Sequence, residues 1–257
     1  MISQNKIKLF RALQLKKRRD AEGLFVAEGR KTVSDLMRGG LLCSYVAATP
    51  DLLPEFSSLC NSSADYVEAS ADQIAEVSGL QTRSEVIAIF RKPVSSSEAA
   101  SASFASNDLV LALDEIQDPG NLGTILRTAD WFGIRTVVCS LTCADAYGPK
   151  AVQASMGALC RVVPVYVDLH RYLSDARQSD VPVYGTFLAG DNIYDSVLSR
   201  SGVILMGNEG RGVSPRNAEL VSRKLFIPSY PPGAPTSESL NVSTATAIVC
   251  SEFRRRF

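Results

Sequence analysis

After residue 108 the chain repeats one pattern. Short apolar runs, "LVLALD", "RTVVCS", "RVVPVYV", "PVYGTFL", "GVILMG" and "KLFIPS", recur with stretches of helical periodicity between several of them. This alternation predicts an α/β fold whose mainly parallel sheet is covered by helices on both faces. Ligands in such folds gather where the strands end, at their carboxyl edge. The polar loops of this sequence follow those same strands.

The stretch 93–107, "PVSSSEAASASFASN", is rich in Ser and Ala and carries hardly an apolar anchor, so it reads as a linker. It separates residues 1–92 from residues 108–257, two segments of ordinary domain size. In the first, "NKIKLFRALQLKKRRDAEG" predicts one basic helix, "LFVAEG" a strand, and the amphipathic stretch ending at Gly39–Gly40 a second helix. "SYVAAT", "ADQIAEVSG" and "VIAIFR" continue the alternation, which makes a small α/β domain.

The formal net charge is zero, but its distribution is uneven. Residues 1–40 hold ten Lys and Arg against four acids, residues 41–120 hold three against twelve, and the chain closes on Arg254, Arg255 and Arg256. The run Lys16, Lys17, Arg18, Arg19 is a candidate phosphate grip for RNA, although a solvated helix face accounts for such runs more often. The six cysteines include no C-x-x-C pair, and His170 is the sole histidine, so reduced thiols and no metal site are expected. No apolar run is long enough to span a membrane, and the first residues lack the apolar core of a secretory signal. A cytoplasmic protein is expected.

Three loops would meet at the carboxyl edge. The loop "GNEGRGVSP" follows "GVILM". Gly207 and Gly212 are spaced like the glycines of a P-loop, but Val213 stands where a P-loop needs lysine, and G-x-x-G-x-G is not a dinucleotide fingerprint. An NTPase or nicotinamide-dependent oxidoreductase is therefore disfavoured. The loop after "LVLAL" leads to Asn121, read as the cap of a helix that presents Arg127 and runs to Gly133. The third loop, "PSYPPGAPTSESLNVS", carries Ser239, Leu240, Asn241 and Ser243 into the last helix. Taken singly, each feature has an ordinary structural explanation: a cap, a surface ion pair, a tight turn.

Together, N-x-G-x-x-x-R at Asn121, Gly123 and Arg127, then "GNEGRGVS", then "IP…SLNVSTATAI" resemble the SpoU (TrmH-like) family of the SPOUT superfamily, over about residues 108–257. "YGPKAVQASMGALCRVVPV" is also similar to the family's connecting helix and strand. The resemblance implies a knotted (trefoil) methyltransferase domain with a mainly parallel sheet, preceded by a small α/β RNA-binding domain. It implies a homodimer that methylates a ribose 2′-hydroxyl in ribosomal or transfer RNA with S-adenosylmethionine. Gly207, Ile227 and Leu240 would line the cofactor pocket, with Thr186 and Leu188 beside them. Arg127 would act at the 2′-hydroxyl, either as a base or, more easily for a guanidinium, by steadying the alkoxide or gripping the adjacent phosphate. Asn121, Glu209 and Asn241 would hold the geometry, with Glu209 orienting an arginine and Ser239 and Ser243 as neighbours. The chain departs from the family in the inserted "SYPPGAPTSE", residues 229–238, whose prolines make a stiffened contact surface. The rival reading is a retired homologue that binds RNA without methylating it; such a protein should have lost part of the polar set, and Asn121, Arg127, Glu209 and Asn241 are all present.

Overall fold

In the computed structural model, which describes residues 1–59, 64–80, 83–94 and 101–257, the chain divides into two units. One is Met1–Val94 with Asp145–Arg161, the other Ser95–Ala144 with Val162–Phe257. The segment 145–161, assigned from sequence to the C-terminal domain, thus belongs to the first unit. Of the expected linker, residues 95–100 lie outside the described residues. Its remainder is not featureless: Ala102–Ser106 forms a 3-10 turn, and the small side chains of Ala102 and Ala105 are buried in the core of the second unit.

The first unit runs α1 (Gln4–Ala12), α2 (Lys16–Glu22), β1 (Leu24–Glu28), α3 (Arg30–Arg38), β2 (Cys43–Ala48), α4 (Leu53–Leu59), β3 (Asp65–Glu68), α5 (Ala71–Val77) and β4 (Val86–Arg91). The sheet order is β1-β4-β2-β3, with β4 antiparallel to both neighbours and β2 parallel to β3. Phe10, Leu13, Tyr45, Ile74 and Ile87 share one buried core.

The stretch expected as one basic helix is two, and Arg19 explains the break. Its Nη1 donates to the carbonyls of Leu13 (2.7 Å) and Gln14 (2.8 Å), which the end of α1 leaves without helical partners. Its Nε and Nη2 donate to Asp145 Oδ2 at 2.9 and 2.7 Å. Arg19 is only 4% exposed. A guanidinium buried this deeply is tolerable because every face is bonded, and it has no free edge for a phosphate. The expected RNA grip therefore loses Arg19. Lys16 is exposed and pairs with Asp20 at 3.8 Å, while Lys17 and Arg18 are exposed without an ion pair among the described residues.

The second unit contains β5 (Leu109–Leu113), α6 (Pro119–Trp131), β6 (Thr136–Ser140), β7 (Val163–Val167), α8 (Leu169–Gln178), β8 (Val183–Asn192), β9 (Gly202–Met206), α9 (Pro215–Ala218), β10 (Arg223–Phe226) and α10 (Val242–Arg255). The connection from β6 to β7 includes α7 (Pro149–Ser155), part of the first unit. All six apolar runs are strands, in the order β10-β8-β9-β5-β6-β7, and every pairing is parallel. Each residue of β5, β6 and β9 is buried, which is why these strands read as unbroken apolar runs. Helix α10 packs on α6, and its Phe253 meets Tyr184 edge to face with centroids 5.0 Å apart.

The closing arginines are part of this packing. Arg254 donates to the carbonyl of Phe132 (2.9 Å) and pairs with Asp108 (3.3 Å). Arg256 donates to the carbonyls of Ile193, Tyr194 and Ser196 and, like Arg255, to the Glu252 carboxylate. The positive C-terminal run is largely consumed within the fold. Among the described residues no helix is long and apolar enough to cross a membrane.

Candidate active site

The carboxyl ends of β5 and β9 are tied to each other before any ligand is considered. Asp114, directly after β5, is buried and accepts the backbone N–H of Ser214 at 2.8 Å. Glu115 adopts a left-handed φ of 58°, uncommon for a residue with a side chain. Its N–H donates to Ser140 Oγ (3.0 Å), its carbonyl accepts from Asn208 Nδ2 (2.7 Å), and its carboxylate pairs with Arg211 (2.7 Å). Beneath it, Cys143 Sγ donates to the carbonyl of Leu113 at 3.3 Å. The hydrogen bond between the two thiols lowers the pKa of Cys143 and raises that of Cys139, whose burial pushes the same way.

The cap of α6 is Asp118, not Asn121 as the sequence suggested. Asp118 Oδ1 accepts the N–H of Asn121 at 2.8 Å, and Pro119 occupies the first helical turn, where its missing donor costs nothing. The helix ends as expected, with Gly133 at a φ of 65° and Ile134 N–H donating back to Ala129. Relieved of capping, the Asn121 amide bridges two other loops. Its Nδ2 donates to Glu209 Oε1 (3.2 Å), and its Oδ1 accepts from Asn241 Nδ2 (3.1 Å). Asn241 in turn caps α10, its Oδ1 accepting from the N–H groups of Ser243 and Thr244 and from Ser243 Oγ. Glu209 also accepts from the backbone N–H of Gln117 and Asp118 at 3.5 and 3.4 Å, so the carboxylate lies against the start of α6, where the helix dipole favours it.

The GNEGRG loop closes on itself. Asn208 and Gly212 exchange backbone hydrogen bonds, both 2.9 Å, and Asn208 Oδ1 accepts from the N–H groups of Gly210 and Arg211. A Cβ on Gly207 would stand 2.1 Å from Val213 N and 2.2 Å from Gly212 C. The glycine is thus required by the loop's own closure, in addition to whatever approaches from outside.

Next to this loop is a cavity of 850 Å³ within the second unit. Thr186, Leu188, Gly207, Ile227 and Leu240, the five residues expected around a cofactor, all line it, as do Glu209 and Ser239. One wall comes from a break in strand pairing: Lys224 faces Gly185 but Leu225 faces Asp191, so 186–190 loops out of the β8–β10 ladder. Thr186 is held by donating to the carbonyl of Leu205 (3.3 Å), whereas Leu188 is 71% exposed. Apolar walls at Met206, Ile227 and Leu240 beside the backbone of 206–213 suit a heteroaromatic ring that needs a dry slot and main-chain hydrogen bonds.

Arg127 is not among the lining residues. It is exposed on α6, with no hydrogen bond or ion pair among the described residues, and Glu209 orients Asn121 rather than an arginine of its own chain. Sequence reasoning missed Asn208, Asp118, Glu115 and Arg211. The first two had a signal in the Asn inside the glycine loop and in the Asp-Pro before the helix.

Residues 108–251 match the model of the SpoU rRNA Methylase family. The chain belongs to this family. Residues 4–88 match a second model, the MRM3-like substrate binding domain. Among relatives, this SpoU protein is 30% identical over 251 residues to the 23S rRNA (guanosine(2553)-2'-O)-methyltransferase RlmP of Bacillus subtilis, covering 97% of this chain and 96% of that protein. It is 38% identical to a solved structure from Porphyromonas gingivalis assigned to the TrmH family of RNA methyltransferases, with all of both chains covered and a TM-score of 0.86. An AdoMet-bound rRNA methyltransferase from Sinorhizobium meliloti is 27% identical, covering 100% of this chain and 97% of that one at a TM-score of 0.84. The resemblance drawn from the three motifs holds, and with it an α/β fold built on a parallel sheet.

Proposed function

We propose that this SpoU-family protein transfers a methyl group from S-adenosylmethionine to a ribose 2′-hydroxyl of ribosomal RNA, with transfer RNA as the other structured substrate. The observation that carries the reading is the Glu209–Asn121–Asn241 bridge beside the 850 Å³ cavity, because it joins all three family motifs at one edge of the sheet. Gly207, Ile227, Leu240, Thr186 and Leu188 would hold the cofactor, which when bound supplies an electrophilic methyl already activated by positive sulfur.

The protein's part is alignment and removal of a weakly acidic proton. Asn121, Glu209 and Asn241 fix the loops against one another. Arg127, exposed and without an ion pair among the described residues, serves the 2′-oxygen or the adjacent phosphate of a site completed by a second copy, so the working form is a homodimer. A guanidinium stays charged, which favours steadying the alkoxide over taking its proton. The C-terminal unit is a trefoil knot, a reading supported by its family and by the way α10 and its Asn241 cap lock onto α6. The first unit is the RNA-binding domain, gripping phosphates with Lys16, Lys17 and Arg18, and the reaction is cytoplasmic.

Incubation with labelled S-adenosylmethionine and unmodified ribosomal and transfer RNA transcripts tests this, followed by mapping of the modified nucleotide. An alkali-resistant phosphodiester at one position is expected, since a methylated 2′-oxygen cannot attack the neighbouring phosphate. Label on a base, or cofactor binding without transfer to any RNA, would overturn it.

A further inference from the structure

The insertion 229–238 contributes to the cavity wall, and its one aromatic residue is oriented unlike every other ring there. Phe187 and Phe226 are half-buried, whereas Tyr230 is 91% exposed although it lines the same cavity. Its hydroxyl has no hydrogen-bond partner among the described residues. The backbone around it is stiffened by Pro228, Pro231 and Pro232, and the turn that follows is closed by Ala234 N–H donating to the carbonyl of Pro231 at 3.1 Å, with Gly233 at a φ of 75°. An aromatic face presented to water on a restrained loop is a poor contribution to the fold but a prepared platform for a planar ligand, because little entropy is lost when that ligand arrives.

We propose that Tyr230 is a substrate-positioning residue that stacks on the unpaired base of the target nucleotide, holding its ribose at the cavity mouth. The inference rests on the RNA methyltransferase reading above. The chemistry favours a base over the cofactor's adenine: an adenine enclosed by Met206, Ile227 and Leu240 is already in an apolar slot, whereas a base drawn from RNA arrives from solvent, where this ring lies. Single-stranded bases are commonly held by stacking on aromatic side chains, a contact that tolerates any base because each has a π face.

The test uses the full-length protein, the RNA transcript that the wild type methylates, and three readouts: KM for RNA, kcat, and S-adenosylmethionine affinity by calorimetry. Tyr230→Ala should raise KM for RNA about 5- to 140-fold, the range expected for one base–aromatic stack, with cofactor affinity unchanged. Tyr230→Phe, which keeps the face and removes the hydroxyl, should behave like wild type. An unchanged KM in Tyr230→Ala would overturn the proposal, as would a loss of cofactor affinity, which would assign the ring to the adenine. A Phe variant as impaired as Ala would also overturn it, since the hydroxyl rather than the face would be acting. A wild type that binds cofactor yet methylates no RNA would instead sink the underlying reading and this inference with it.

Discussion

Gly207→Ala is the smallest change that tests how the cofactor loop is built. The added methyl would sit 2.1 Å from Val213 N and 2.2 Å from Gly212 C, both backbone atoms that cannot rotate away. Restoring ordinary contact requires the 212–213 strand of the loop to retreat by more than about 1 Å, given carbon contacts near 3.5 Å. That movement breaks the reciprocal Asn208–Gly212 backbone pair, each bond 2.9 Å. At about 0.5–1.5 kcal/mol per hydrogen bond, the closed loop loses about 1–3 kcal/mol. If the cofactor needs the closed loop, its affinity falls by the same free energy, about 5- to 140-fold. Calorimetry with S-adenosylmethionine reads the affinity, and a thermal melt shows that the strands remain folded. Gly210→Ala is the stability control: its Cβ would meet only Asn208 Oδ1, at 3.8 Å, so its melt should match wild type. Undiminished affinity in folded Gly207→Ala would refute the idea that self-closure of this loop builds the site.

Asn121→Ala should lower kcat by about tenfold or more while the protein stays folded, because Glu209 and Asn241 lose their shared partner; a single-turnover assay that finds normal transfer would remove the bridge from the mechanism. Glu252 is buried, and hydrogen bonds from Arg255 and then Arg256 hold its carboxyl down at about 2 from 4.5, against the opposing effect of burial. A depressed pKa stabilises the fold above the unfolded value, so Glu252→Gln should cost about 3 kcal/mol at pH 7 in denaturant titrations, with the gap to wild type closing as pH falls from about 4.5 towards 2. Arg127→Ala and Gly207→Val should each be inactive, the first with normal cofactor binding; subunit exchange between them should restore up to about half the activity per heterodimer, and silence after proven exchange would mean Arg127 serves its own chain.

The parallel sheet was legible because β5, β6 and β9 are buried on both faces, so that β5 and β9 carry no polar residue and β6 has only the small hydroxyls of Thr136 and Ser140 at its two ends. Charge was less legible, because counting lysines and arginines does not say what lies beneath them. Arg19 follows three exposed cations, yet it turns inward to cap α1 and meet Asp145, a residue 126 positions away. No local pattern could announce that partner. Arg254 and Arg256 pair with Asp108 and Glu252, but they also donate to main-chain carbonyls at 132 and at 193, 194 and 196, and a carbonyl has no letter in the sequence.

The candidate site shows the same boundary from the other side. Its members were legible as separate loops because each has an unusual composition, but the role of Asn121 was misread because an Asn before a helical stretch is ordinarily its cap. Asp118 takes that role three residues earlier, and the consequence is chemical. An amide engaged in capping would have its oxygen committed to backbone N–H groups, whereas the uncommitted amide of Asn121 offers a donor to a carboxylate and an acceptor to a second amide. Only a side chain with both polarities can join Glu209 to Asn241 in this way. An Asp at position 121 would set a carboxylate against Glu209, and a Leu of similar size would leave Glu209 and the Asn241 amide without this partner. The Asp-Pro-Gly-Asn sequence therefore divides two tasks between two short polar residues, and the second is free for the site because the first closes the helix.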